Sequence, residues 1–217
     1  MTSPWTPLPD AHPLGGMRPV LEASDAVLGH EPRGGYEDRC WVLHTVHDGD
    51  RRLRWHEILA GASRPPLAEW PKTPSYLLFE GIEGRDTWDG PSDGEIDRAC
   101  LERLVTLLAR HGADGPDTPC YASQAPIEDL GTSAPARAGR LADAPAHHDH
   151  CSGRSGEAWL QFPANWWAVE GSWFVLTDWD LCATEVFGPA GLIAALLADE
   201  ELEAVRHPSI AETWARD

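Results

Sequence analysis

Tryptophan is the largest side chain a fold has to accommodate, and this chain of 217 residues carries 11 of them. Five fall together: Trp159, Trp166, Trp167, Trp173 and Trp179 lie in the stretch WLQFPANWWAVEGSWFVLTDW. Each large aromatic ring buries roughly 150–250 Å² and imposes its own packing geometry. So dense a cluster admits two solutions, a rigid core or a flat recognition surface. The chain is long enough for the first, because proteins of this size bury roughly 70% of their unfolded surface.

The pattern around the cluster is that of an α+β fold. Cys40–Val46 is rich in β-formers, and the HDGD that follows is an Asp-Gly turn signal. RRLRWHEILAG then reads as a second strand passing into a short helix. Tyr76–Glu80 fits a buried strand, and the prolines between Arg64 and Pro74 mark a loop. Ser92 and Glu95 have capping-box spacing, which opens a helix over about 96–111 with Gly112 at its C-terminal end. Ser172–Asp178 and Leu181–Phe187 read as paired strands joined at Trp179–Asp180, with a helix over about 190–205 after them. Residues 19–29 form a short helix or strand. The expected architecture is a mixed or mainly antiparallel sheet covered by a few helices. The expected organisation is a flexible N-terminal arm at 1–17, then one domain over 18–217 with a long loop at about 123–157.

Charge narrows the partners. The net charge is −18, and Lys72 is the one lysine among 17 basic residues. A surface this acidic argues against nucleic acid and anionic membranes, and leaves room for a basic protein partner. Five widely spaced cysteines with no C-x-x-C suggest reduced thiols, and no apolar run is long enough for a membrane span. The chain reads as cytoplasmic.

Several segments resemble a group of uncharacterised actinobacterial proteins. They are GYEDRCWVLHTVHDGDRRLRWHEI, WDGPSDGEI opening a helix that ends in LARHG, FPANWWAVEGSW before the strand pair FVLTDWDLCATEVFG, and the closing LIAALLADEELEAV. The resemblance covers roughly 35–60, 86–122 and 159–207. It departs at PCYASQAPIEDL and around 133–151. It implies a shared domain and carries no activity.

Four sets of residues could carry chemistry. Asp178 and Asp180 sit at i, i+2, with Glu185 on the next strand; together they could hold a cation or act as an acid/base pair, or serve simply as turn residues. His44 lies on the first strand, with Asp48, His47, His56 and Glu57 nearby. His147, His148, His150 and Cys151, with Asp149 among them, offer metal-ligand types. Adjacent residues cannot all face one ion, however, so a solvated His-rich loop is the alternative. Trp166 and Trp167 could form an exposed platform for a partner, as hot spots often do, or pack in the core. No G-x-S-x-G, P-loop, G-x-G-x-x-G, H-E-x-x-H or D-x-D-x-D-G occurs, so no cofactor is implied. The composition favours a non-catalytic protein-binding module of inhibitor or immunity type. The alternative is an enzyme or small-ligand binder using Asp178, Asp180 and Glu185.

Overall fold

The computed structural model describes residues 3–8, 36–67, 79–91, 94, 96–123, 136–152, 165–177 and 181–206. Its strands are β1 (Thr6–Pro7), β2 (Asp38–Leu43), β3 (Val46–Asp48), β4 (Arg51–Leu53), β5 (Trp88–Asp89), β6 (Pro119–Ser123), β7 (Ala136–Arg140), β8 (Asn165–Ala168), β9 (Phe174–Thr177), β10 (Ala183–Gly188) and β11 (Ala204–Val205). The α-helices among the described residues are α1 (Trp55–Gly61), α2 (Arg98–Ala109), α3 (Ala144–Ser152) and α4 (Ala190–Leu197). An eight-stranded sheet has the order β1-β7-β6-β8-β9-β10-β2-β11, and a three-stranded sheet has the order β4-β3-β5. All of these pairings are antiparallel, so the fold is α+β with antiparallel sheets.

Alternation along the central strands splits the core in two. Cys40 and Val42 of β2, Val186 of β10, Val175 of β9 and Trp166 of β8 share one face with Leu101, Leu104 and Leu108 of α2 and with Leu192, Ile193 and Leu196 of α4. Trp41 and Leu43 turn to the other face and meet Trp55, Ile58 and Leu59 of α1. Both faces are buried here, which is why CWVL and ATEVF read as continuous runs rather than alternating ones.

The hairpin at HDGD forms as the turn signal implies. Asp48 pairs with Arg51 across a two-residue turn that begins with Gly49 at φ +59°. Helix α1 follows directly. Its first backbone N–H groups, those of Trp55 and His56, donate to the Glu203 carboxylate at 2.8 and 3.0 Å. The cap therefore comes from the far end of the chain. Arg52 and Arg54 return the contact by donating to the carbonyls of Glu201, Glu200 and Leu202.

Several sequence expectations need correction. Of the arm expected at 1–17, the described residues 3–8 are anchored: Trp5 is 1% exposed, and Thr6–Pro7 pairs with β7, while the rest of the arm lies outside the described residues. A Cβ on Gly139 would lie 2.3 Å from Trp5 Cδ1, so that glycine provides the slot for the indole. Helix α2 starts at Arg98, not Ile96. Its N-cap is Asp97, whose carboxylate accepts from the Cys100 and Thr45 N–H groups, both at 2.9 Å. Burial alone would raise the Asp97 pKa, but these bonds outweigh it and hold the group below the usual carboxylate range. Ser92 and Glu95 lie outside the described residues. Gly112 serves close packing, since a Cβ there would sit 2.3 Å from Thr118 Oγ1.

The stretch expected as a loop at 123–157 contains β7 and α3. The closing helix stops at Leu197 instead of continuing to Val205. There Asp199 accepts from the Glu201 and Leu202 N–H groups and is gripped by Arg103, and Ala204–Val205 pairs with β2 as an edge strand. Phe79 is buried and Glu80 lies in a turn, while Tyr76–Leu78 and residues 19–29 lie outside the described residues.

Candidate functional site

Trp166 and Trp167 belong to strand β8, not to a loop, and both are fully buried. Neighbouring strand residues point to opposite faces. Trp166 accordingly packs edge-on to Trp173 at 5.4 Å, while Trp167 meets Phe174 at 6.0 Å and Tyr121 at 6.1 Å. The pair bridges the two sides of the sheet and presents no platform to a partner. The core solution to the tryptophan cluster is the one this fold takes.

His44 and Glu185 do not converge. His44 Nε2 lies 2.9 Å from Thr184 Oγ1, which lies 2.8 Å from Thr177 Oγ1. Thr184 is opposite Val42 and Thr177, on the face that α2 and α4 cover. Glu185 follows Thr184 in the strand and therefore faces the other way. It sits in a cross-strand row of Trp41, Glu185, Leu176, Asn165 and Ser123. Its side chain is 1% exposed, with Arg39 Nε 3.6 Å from Oε1. A buried carboxylate is costly unless paired, and Arg39 supplies the partner. The sheet itself separates His44 from Glu185, so the two cannot share a catalytic pocket. Asp178 and Asp180 lie outside the described residues.

The histidine-rich segment is helix α3, not a loop. Its histidines diverge. His147 and Cys151 share the buried face at i, i+4, with Sγ 3.7 Å from Nδ1. His147 also faces Ser3 Oγ at 3.0 Å and stacks on Trp5 at 5.1 Å. His148 Nε2 turns to the Ile96 carbonyl at 3.1 Å, and Asp149 binds Arg98. His150 lies half-buried near the end of the helix. Among the described residues, no group of three His, Cys, Asp or Glu side chains is placed to hold a metal ion. Burial, helped by Arg137, pushes the His147 pKa down to about 4, so the ring is neutral at pH 7. The five cysteines are free and buried. Burial raises the Cys40 and Cys100 thiols to about 12 and the Cys120 thiol higher still, which leaves these three as thiols, not nucleophilic thiolates.

An open groove of about 730 Å³ lies beside α1 and the three-stranded sheet. That volume is in the range of small-molecule and side-chain pockets. Its apolar surface comes from Leu53, Ile58, Ile82 and a half-buried Trp88 that packs edge-on to Phe79 at 6.0 Å. Exposed carboxylates of Asp48, Glu57 and Glu83 line it as well. Asp48 and Trp88 are direct cross-strand partners, so the carboxylate and the indole sit side by side on one face. Glu57 has Arg51 at 3.9 Å, and Arg64 donates to the Glu80 carbonyl at 2.7 Å. Asp48 and Glu83 have no side-chain hydrogen bond or ion pair within the described residues.

Ser63 also lines the groove, at φ +54°. It ends α1 in a Schellman turn, with Ser63 N–H bonded to the Ala60 carbonyl and Arg64 N–H to the Leu59 carbonyl. Glycine is the usual residue there, and serine occupies the left-handed region at a cost of about 1–2 kcal/mol. Strain of this kind persists where the surroundings fix it, often at functional sites. Of the groove residues, Asp48 and Glu57 stand among the sequence candidates, the sequence places Trp88 only in a turn-rich loop, and Ser63 and Glu83 are not singled out. The signals that could have found these are the missing glycine after a short helix and the aromatic in the turn-rich segment.

No protein-family model, no curated protein and no solved structure matches the chain. Among the described residues, no helix is long and apolar enough to cross a membrane.

Proposed function

We propose that this protein is a non-catalytic protein-binding module of inhibitor or immunity type, and that it meets a basic partner through the groove beside α1. The observation that carries the reading is the groove's composition: an accessible indole next to unengaged carboxylates, on a chain of net charge −18. Acidic surfaces steer basic partners and accelerate encounter, and half-exposed aromatics anchor them. The same charge disfavours nucleic acid.

The test is capture of partners from native lysate by three untagged, immobilised proteins: wild type, Trp88→Ala/Glu83→Arg, and Glu102→Arg on the remote face of α2. One stoichiometric protein held by wild type and Glu102→Arg, but lost with the groove variant, supports the reading. A partner held equally by all three removes the groove from it.

The alternative, an enzyme or small-ligand binder using Asp178, Asp180 and Glu185, draws on the buried row of Glu185, Asn165 and Ser123. A metabolite thermal-shift screen of wild type against Glu185→Gln tests it. A compound that stabilises only the wild type favours that alternative.

A further inference from the structure

We infer that the groove takes an arginine side chain presented by the partner protein. This rests on the reading of the groove as the partner surface. An arginine brings three parts to such a site: a planar cation, a fork of N–H donors and a methylene stem. The groove offers a counterpart to each. Trp88 keeps part of its indole accessible, and an indole face is the best aromatic partner for a stacked cation. Asp48 is the cross-strand neighbour of Trp88, which places a carboxylate at the edge of any cation lying on that ring. Glu83 is a second carboxylate on the same groove with no partner of its own within the described residues. Ile58 and Ile82 supply apolar surface along which the stem can lie.

The groove's own cations leave this place open. Arg51 stands opposite Asp48 in the hairpin, yet its guanidinium lies 3.9 Å from Glu57 and within 4 Å of no other carboxylate among the described residues. Arg64 is committed to the Glu80 carbonyl. Lysine fits the same charge less well. Its compact ammonium is strongly hydrated and cannot stack as a plane.

The test titrates the full-length protein with acetyl-Gly-Arg-Gly-amide and with its lysine and citrulline counterparts, following backbone and indole N–H resonances by NMR. The arginine peptide is expected to shift Ser63, Glu83 and the Trp88 indole saturably. The lysine peptide, whose ammonium keeps the charge and a ring contact but loses the planar stack and the fork of donors, should bind about threefold more weakly. Citrulline, which keeps the shape and loses the charge, should not saturate. Trp88→Ala and Asp48→Asn should each weaken the arginine response about fivefold, while Glu102→Gln leaves it unchanged. Equal affinity for arginine and lysine, or no saturable shift with any peptide, overturns the inference. The peptide series on wild type alone decides this even where a variant fails to fold. If partner capture still depends on the groove while arginine and lysine bind alike, the arginine anchor falls and the binding-module reading stands.

Discussion

Gly139→Ala should detach the N-terminal strand, and the reasoning can be checked by a double-mutant cycle. The new methyl would lie 2.3 Å from Trp5 Cδ1 and 2.5 Å from both Cγ and Nε1. These atoms belong to a rigid ring that is itself packed against His147, so small rotations cannot relieve the clash. Two responses are open. The strand can shift with the ring in place, at the roughly 1–3 kcal/mol typical of overpacking. Alternatively Trp5 can leave its slot, at the roughly 3–5 kcal/mol of deleting a buried tryptophan. The second figure is a ceiling, because the chain can always choose to release Trp5. Gly139→Ala is therefore expected to cost about 2–4 kcal/mol, or about 4–16 °C in melting temperature for a chain of this length. Urea unfolding followed by circular dichroism measures the free energies. In a Trp5→Ala background the clash is gone, so adding Gly139→Ala should cost less than about 0.5 kcal/mol. Additive costs in the double variant would refute the slot.

Three further outcomes follow from the geometry. Ser63→Gly should relieve the left-handed strain and, after the entropy lost by glycine, stabilise the protein by roughly 1 kcal/mol in the same urea assay; a loss of stability would show that the serine hydroxyl holds the turn. Glu203→Ala removes the carboxylate that caps α1 and should cost about 1–2 kcal/mol, with hydrogen exchange accelerating first at Trp55–Gly61; unchanged exchange there would count against the cap. His147 has its pKa pushed below its unfolded value, so the unfolded chain takes up the proton more readily. Stability is then full above about pH 6.5 and falls as the pH drops towards 4, by up to about 3 kcal/mol. His147→Gln should flatten that part of the pH–stability curve, and an unchanged slope would refute the assignment.

The parts of this fold legible in the sequence are those whose apolar pattern is local. CWVL, FVLT, ATEVF and the leucine-spaced α2 show themselves because their own side chains state the period. Helix α3 does not, because apart from Ala144 its buried positions are filled by His147, His148 and Cys151, and histidine does not count as apolar in any pattern. Strand β1 does not, because its docking depends on a glycine 134 positions away. The Trp-Trp pair was legible as a cluster but not as a location, since a strand sends adjacent residues to opposite faces and both faces happen to be covered. The groove was the least legible part. Asp48 and Trp88 meet only through a strand register, and Ser63 departs from the rule for helix ends in a way that only its φ angle exposes.

The cap on α1 has a consequence for synthesis. The carboxylate that satisfies the first N–H groups of this seven-residue helix arrives 148 residues after Trp55. A helix this short is marginal in isolation, and the arginines beside it find their carbonyl acceptors only in the same late segment. During translation, the hairpin and α1 must therefore wait uncapped until residues 199–203 have left the ribosome. A nascent chain stalled before that point would hold the apolar partners of Trp41, Trp55 and Leu59 but leave the N–H groups of Trp55 and His56 without their carboxylate and Arg52 and Arg54 without their carbonyl acceptors.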